Sequence, residues 1–183
     1  MPKAYTIKNQ EELYFVTFTV VGWADVFSRK IYRDIIIDSL DYCRKNKGLE
    51  IYGYVIMTNH IHIILKASNT DLSDIIRDFK KHTSKEIVKS INTNGVESRK
   101  DWLNMIFEYY AKLNKRKVAK QFWTNDNHAV VLDNNVDMDK RINYIHQNPV
   151  TAGWVEKPED YLYSSARNYA ALDNVLETDQ LHL

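Results

Sequence analysis

An α+β fold, one antiparallel sheet with helices on one face and a further helix near the C-terminus, is what this 183-residue sequence predicts. Three observations carry the prediction. Short aromatic and β-branched runs alternate with longer runs at helical spacing in the order β-α-β-β-α. Two of the strand-like runs are separated by the polar pair Thr58 and Asn59, which suggests a tight antiparallel hairpin. The composition is 44% hydrophobic and 27% charged with only five Gly and three Pro, which fits a folded domain and argues against long disorder.

In chain order, "YFVTFTVV" (14–21) is rich in residues that suit a pleated, buried surface and reads as the first strand. "SRKIYRDIIIDSLDYCRKNKG" (28–48) reads as a helix, with Ser28 as N-cap, an apolar stripe through Ile31, Ile35, Leu40 and Tyr42, and Lys47 and Gly48 at its end. "LEIYGYVIM" and "IHIILKA" form the hairpin. "DLSDIIRDFKKHTSKEIVKSIN" (71–92) opens on an aspartate and repeats apolar residues at Ile75, Ile76, Phe79, Ile87 and Val88, a second long helix. After the polar break "NTNGVESRK", "DWLNMIFEYYAKLNK" reads as a helix and "QFWTNDNHAVVLD" as a strand that completes a ferredoxin-like sheet. "VDMDKRINYIHQNPVTAGWV" carries the last helix, ended near Pro149, and a loop-rich tail follows. The expectation is one domain over 1–183, with a core at about 10–155 and a tail at 156–183.

A net charge of +1 neither demands nor excludes a polyanionic partner. The single cysteine, Cys43, cannot build an intramolecular disulfide or a cysteine metal cluster, which points to a reducing compartment. "MPKAYTIKNQEELY" lacks an apolar signal core and no apolar run approaches the ~20 residues that span a bilayer, so a cytoplasmic protein without a membrane partner is expected.

The chemistry concentrates in "VIMTNHIHIILK" (55–66). Side chains alternate along a strand, so His60 and His62 share one face while Ile61, Ile63 and Leu65 share the other. Two neutral imidazoles a strand period apart can hold one divalent metal, although such pairs are more often surface or hydrogen-bonded side chains. On the helix that carries "RINYIHQNPVTAGW" (141–154), Met138, Ile142 and Ile145 make a core-facing stripe and Tyr144 lies off it. Asn148, at i+4 from Tyr144, shares its face. A half-buried packing role is the commoner fate of a helical tyrosine, and with twelve in the chain spacing alone does not select this one.

Taken together, the His-hydrophobic-His of "NHIHII" after a "GYVIM" strand, the "FW" stretch ahead of the last helix, and "YIHQNPVTAGWV" followed by "PEDYLYSSARNY" resemble the single-tyrosine HUH transposases, in particular the REP-associated and related insertion-sequence transposase-like proteins. The resemblance spans most of the chain, and the long terminal motif is far more specific than His-x-His. It implies a metal pair at His60 and His62, a nucleophilic tyrosine at Tyr144 and a polar third ligand at Asn148, with Gln147 as the alternative. It also implies cleavage and rejoining of single-stranded DNA bearing a hairpin, with Mg²⁺ or Mn²⁺, through a 5′-phosphotyrosine that leaves a 3′-hydroxyl. Members differ in oligomeric state, so the resemblance leaves a homodimer open, and the linker "DNNVDMD" permits the tyrosine helix to serve its own subunit or a partner's. Two other readings of the same residues stay open: a nucleic-acid-binding module without chemistry, and a metal-dependent hydrolase in which Tyr144 is structural.

Single strands are held by cationic grooves and aromatic platforms. The candidates are "RDFKKHTSK", with Arg77, Lys80, Lys81 and Lys85, and "KLNKRKVAK", with Lys112, Lys115, Arg116, Lys117 and Lys120; for each, a solvated helix face is an equal reading. The second run is favoured because it holds no acid, whereas Asp78 and Glu86 dilute the first. Phe122 and Trp123 are expected to fill the core rather than stack bases.

Overall fold

Strand β1 (Tyr14–Thr19) forms where aromatic and β-branched residues run almost unbroken, and all but one of its residues are buried. The computed structural model describes residues 7–115, 117–133 and 135–179. Helix α1 (Lys30–Lys47), strands β2 (Leu49–Ile56) and β3 (His60–Ala67), helices α2 (Leu72–Thr93) and α3 (Lys100–Leu113), strand β4 (Val130–Val131), helix α4 (Asn135–Thr151) and the short helix α5 (Ala166–Tyr169) follow. The sheet order is β2-β3-β1-β4 with every neighbouring pair antiparallel, which is the ferredoxin-like arrangement of a split β-α-β pair. Among the described residues no helix is long and apolar enough to cross a membrane.

The two faces of the sheet are covered differently. Val16, Phe18, Ile61, Ile63 and Leu65 join α1 and α2 in the main core. Phe15, Val55 and Ile64 meet Met138, Ile142 and Ile145 of α4 on the other face. Gly53 permits that second contact: a Cβ there would run into Ile142 Cδ1, so the helix lies close against β2 because the strand has no side chain at this point. Strand β2 also carries a register shift between Ile51 and Gly53.

Several expectations shift by physical detail. The buried stripe of α1 is Tyr32, Ile36, Leu40 and Cys43, whereas Ile31 and Tyr42 are exposed; the helix also starts two residues later than Ser28. Ser28 is not its N-cap; its hydroxyl donates back to the Asp25 carbonyl (2.7 Å) in a 3₁₀ turn. The "QFWTNDNHAVVLD" strand shortens to two residues of regular pairing plus a bridge between Val20 and Trp123. His128 there has a positive φ of 44°, which breaks the extended run. Phe122 and Trp123 are core residues, as expected.

Glu97, between α2 and α3, has a fully buried carboxylate that accepts bonds from Tyr32 (2.9 Å), Arg29 (2.9 Å) and Arg99 (3.0 Å). Burial alone would raise its pKa, but the Arg99 and Tyr32 bonds outweigh it and pull the group down to about 2. Residues 161–179 run along the outer edge of β2. Tyr163 O accepts from Ile56 N (3.0 Å), Ser165 N donates to Tyr54 O (2.9 Å), and Asp179 pairs with Ile51 through both backbone groups and its carboxylate.

Candidate active site

The histidines stand at the start of β3, on the face opposite Ile61 and Ile63, with ring centroids 4.6 Å apart. Strand pairing sets Thr17 across from His62, and the Thr17 hydroxyl lies 2.9 Å from His62 Nδ1. His60 Nδ1 lies 2.6 Å from Asn59 Oδ1, while the nitrogen of the same amide donates to the Trp23 carbonyl (3.3 Å). That second bond fixes which end of the Asn59 amide is the oxygen. His60 Nδ1 therefore carries the proton and Nε2 is left with its lone pair.

Burial pushes the His60 pKa below its usual value. It pushes His62, only 7% exposed, down to about 3, with the neighbouring His60 and Arg141 adding to the effect. Both rings are thus neutral at neutral pH, the form in which imidazole binds metals, and each is oriented through Nδ1 as metal-binding histidines commonly are. Among the described residues no cluster of three His, Cys, Asp or Glu could hold a metal, so an ion held at the two imidazoles would need its remaining ligands from amide or non-protein oxygens. That donor set fits a cation of the Mg²⁺ or Mn²⁺ kind.

Helix α4 brings the tyrosine. Met138, Ile142 and Ile145 are buried, and Tyr144, rotated off this stripe, is 48% exposed. Its hydroxyl reaches to 3.4 Å from His62 Nε2, and its ring meets His62 edge-on at 5.2 Å. Phe15 stacks on His62 (5.4 Å) and contacts Tyr144 (6.1 Å), so one β1 aromatic supports both. Asn148 sits one turn further on, and its amide nitrogen donates to the Tyr144 carbonyl (2.8 Å), leaving the amide oxygen uncommitted by that bond. Gln147 is exposed. His146 turns to the other side, where Ser165 Oγ lies 2.9 Å from its Nε2 and burial lowers its pKa to about 4.

The fold thus gathers His60, His62 and Tyr144 from one chain and places Asn148 next to the tyrosine. Sequence reasoning missed Thr17, Asn59, Trp23 and Arg141. Register would have found Thr17, and adjacency in "TNH" would have found Asn59. Arg141, three residues before Tyr144, lies over the Phe15 ring (4.7 Å) and lines a cavity of about 380 Å³ beside Tyr144 together with Lys140 and Asp137.

The basic runs separate. Arg77 is engaged by Asp74 and Asp78. Lys80 donates to the Thr124 carbonyl (2.8 Å) and Asn127 (2.7 Å), and Lys120 to Asn104 (2.7 Å), so both tie elements together. Lys81 is exposed on α2, and Lys112, Lys115 and Lys117 are exposed around the end of α3. Arg116 lies outside the described residues.

The chain shares its fold with a tyrosine transposase. It matches the structure described as "Structure of the REP associates tyrosine transposase bound to a REP hairpin" with a TM-score of 0.60 at 18% identity, covering 100% of this chain and 94% of that one. A putative transposase from Deinococcus radiodurans R1 matches with a TM-score of 0.43 at 13% identity, over 80% of this chain and 97% of that one. No curated protein matches the sequence. The sequence model described as "Transposase IS200 like" matches residues 14–104, from β1 into the first turns of α3, and the chain belongs to that transposase family. The matched stretch contains His60 and His62; Tyr144 lies beyond it.

Proposed function

We propose that this transposase cuts and rejoins single-stranded DNA with Tyr144 as its nucleophile. The observation that carries the reading is the 3.4 Å approach of the Tyr144 hydroxyl to His62 Nε2, which joins a helix and a strand 82 residues apart in sequence. In the step, the Tyr144 oxygen attacks phosphorus and the P–O3′ bond breaks. A 5′-phosphotyrosine forms, the phenol's proton passes to water at this half-exposed side chain, and the leaving 3′ oxygen takes up a proton as hydroxyl. One phosphodiester replaces another of similar energy, so a different 3′-hydroxyl can reverse the step and join strands without a nucleotide cofactor.

His60 and His62 would hold a divalent ion, with Asn148 or Gln147 as the amide ligand. When bound, that ion supplies Lewis-acid polarisation of a non-bridging phosphate oxygen, and imidazole nitrogen favours Mn²⁺ over Mg²⁺ in affinity. Arg141 stands beside Tyr144 over Phe15, where a guanidinium can hold a phosphate oxygen of the bound strand. The lysines at the end of α3 offer a surface for the rest of the backbone. The relative bound to a REP hairpin supports a hairpin-bearing strand as substrate.

The test is incubation of wild type and Tyr144→Phe with hairpin-bearing single strands and Mn²⁺. Wild type forms a covalent protein–DNA adduct that a chelator prevents, and Tyr144→Phe forms none while still binding. Equal cutting by both proteins without an adduct would put a water nucleophile in place of Tyr144.

A further inference from the structure

Trp23 is the most exposed of the large aromatic side chains among the described residues, at 67%. It is not on a loose loop. The 3₁₀ turn Val21–Trp23 is fixed by Val21 N donating to the Phe122 carbonyl (2.9 Å), by Gly22 seated against Ile106 and Tyr110 of α3, and by buried Val21 and Ala24 on either side. Gly22 has φ 65° and Trp23 itself φ 53°, a left-handed conformation that costs a non-glycine residue of this size on the order of 1 kcal/mol or more. The chain therefore holds a strained backbone in order to present an indole to solvent.

What that indole stands beside gives it meaning. Its ring centroid is 5.9 Å from that of His60, inclined at 66°, and Asn59 bonds both the His60 ring and the Trp23 carbonyl. Together with His60, His62, Tyr144 and Phe15 it forms a continuous row of rings across the sheet face, with Arg141 at the far end. We propose that Trp23 is a stacking platform for a nucleobase of the single strand, next to the phosphate that Tyr144 attacks. The inference rests on reading the site as a single-strand cutter. It adds a base-binding position to a site otherwise built only for phosphate. Stacking on an indole accepts any base, because every base has a π-face, so Trp23 sets the path and grip of the strand rather than its sequence.

The test uses equilibrium binding of a fluorescent oligothymidine strand and of an abasic strand of the same length. Trp23→Ala and Trp23→Gly bind the thymidine strand about 5- to 100-fold more weakly than wild type, while Trp23→Phe stays within a few fold. On the abasic strand all four proteins bind alike. Glycine tolerates the left-handed backbone and alanine does not, so Trp23→Gly melts above Trp23→Ala. Equal binding loss in two variants of different stability excludes a folding defect as its cause. Thymidine-strand binding by Trp23→Gly equal to wild type, or an equal loss on the abasic strand, overturns the platform. The adduct assay on Tyr144→Phe is independent: an adduct with an unaltered Trp23→Gly removes the platform alone, and Trp23-dependent binding without an adduct removes the Tyr144 chemistry alone.

Discussion

The two faces of the sheet are made from the same strands and do opposite work. One is sealed: Phe18 packs on Phe79 and Trp123, Ile61 and Ile63 lie under α1 and α2, and its main buried carboxylate, Glu97, is fully bonded. The other is sealed only where α4 crosses Phe15, Val55 and Ile64. Beyond that crossing, Thr17, His60, His62 and half-exposed Tyr144 meet. The difference teaches that the sealed core and the candidate site are divided by the alternation of the strand itself, with His62 between Ile61 and Ile63 as the clearest case.

That division can be broken at its strong side first. Phe18→Ala should cost about 3–5 kcal/mol in urea denaturation, leaving adduct yield per folded molecule unchanged. Thr17→Val keeps shape but removes the partner of His62 Nδ1; a loss of about 10- to 100-fold in Mn²⁺ affinity and cutting, with little change in melting, is expected. Gly53→Ala acts where the two halves of the open face join. Pushing Ile142 away should cost about 1–3 kcal/mol and lower adduct yield by shifting α4, read by melting and adduct assays together.

The last test is with pH, and it distinguishes the faces by order. His62 and His146 ordinarily titrate near 6.5 but are held near 3 and 4 by burial. The unfolded chain takes up protons below about 6.5 while the folded one does not, so their contribution is full above that pH and declines as acid is added toward 4 and 3. Glu97 is the depressed carboxylate. Its contribution is present above its ordinary 4.5 and is lost only as pH falls toward 2. Denaturation midpoints measured from pH 7 to 3 should fall first through the histidine window; a curve flat down to pH 4.5 would show that the buried imidazoles do not oppose protonation.

Much of this was legible in the sequence for identifiable reasons. Strand alternation placed His60 and His62 on one face, and the 3.6-residue period of Met138, Ile142 and Ile145 turned Tyr144 away from the core. The α1 stripe was misplaced by one position because Tyr32, the residue that reaches Glu97, was passed over for the more aliphatic Ile31. Thr17 and Asn59 were passed over because their roles show only once β1 is set in register against β3 and the hairpin turns back on Trp23. Charge counting could not separate Lys80 and Lys120, which bond neighbouring elements, from Lys112 and Lys117, which are exposed.

The segment along β2 has a consequence for assembly. An uncovered edge strand offers its unpaired amides and carbonyls to any other strand, including a second copy of the same chain. Here Tyr163, Ser165 and Asp179 occupy those groups on β2, and the opposite edge, β4, pairs over only two residues. The chain spends its own C-terminal residues as a selvedge, so cross-molecule strand addition finds no template along β2, and copies that meet there must do so through side chains.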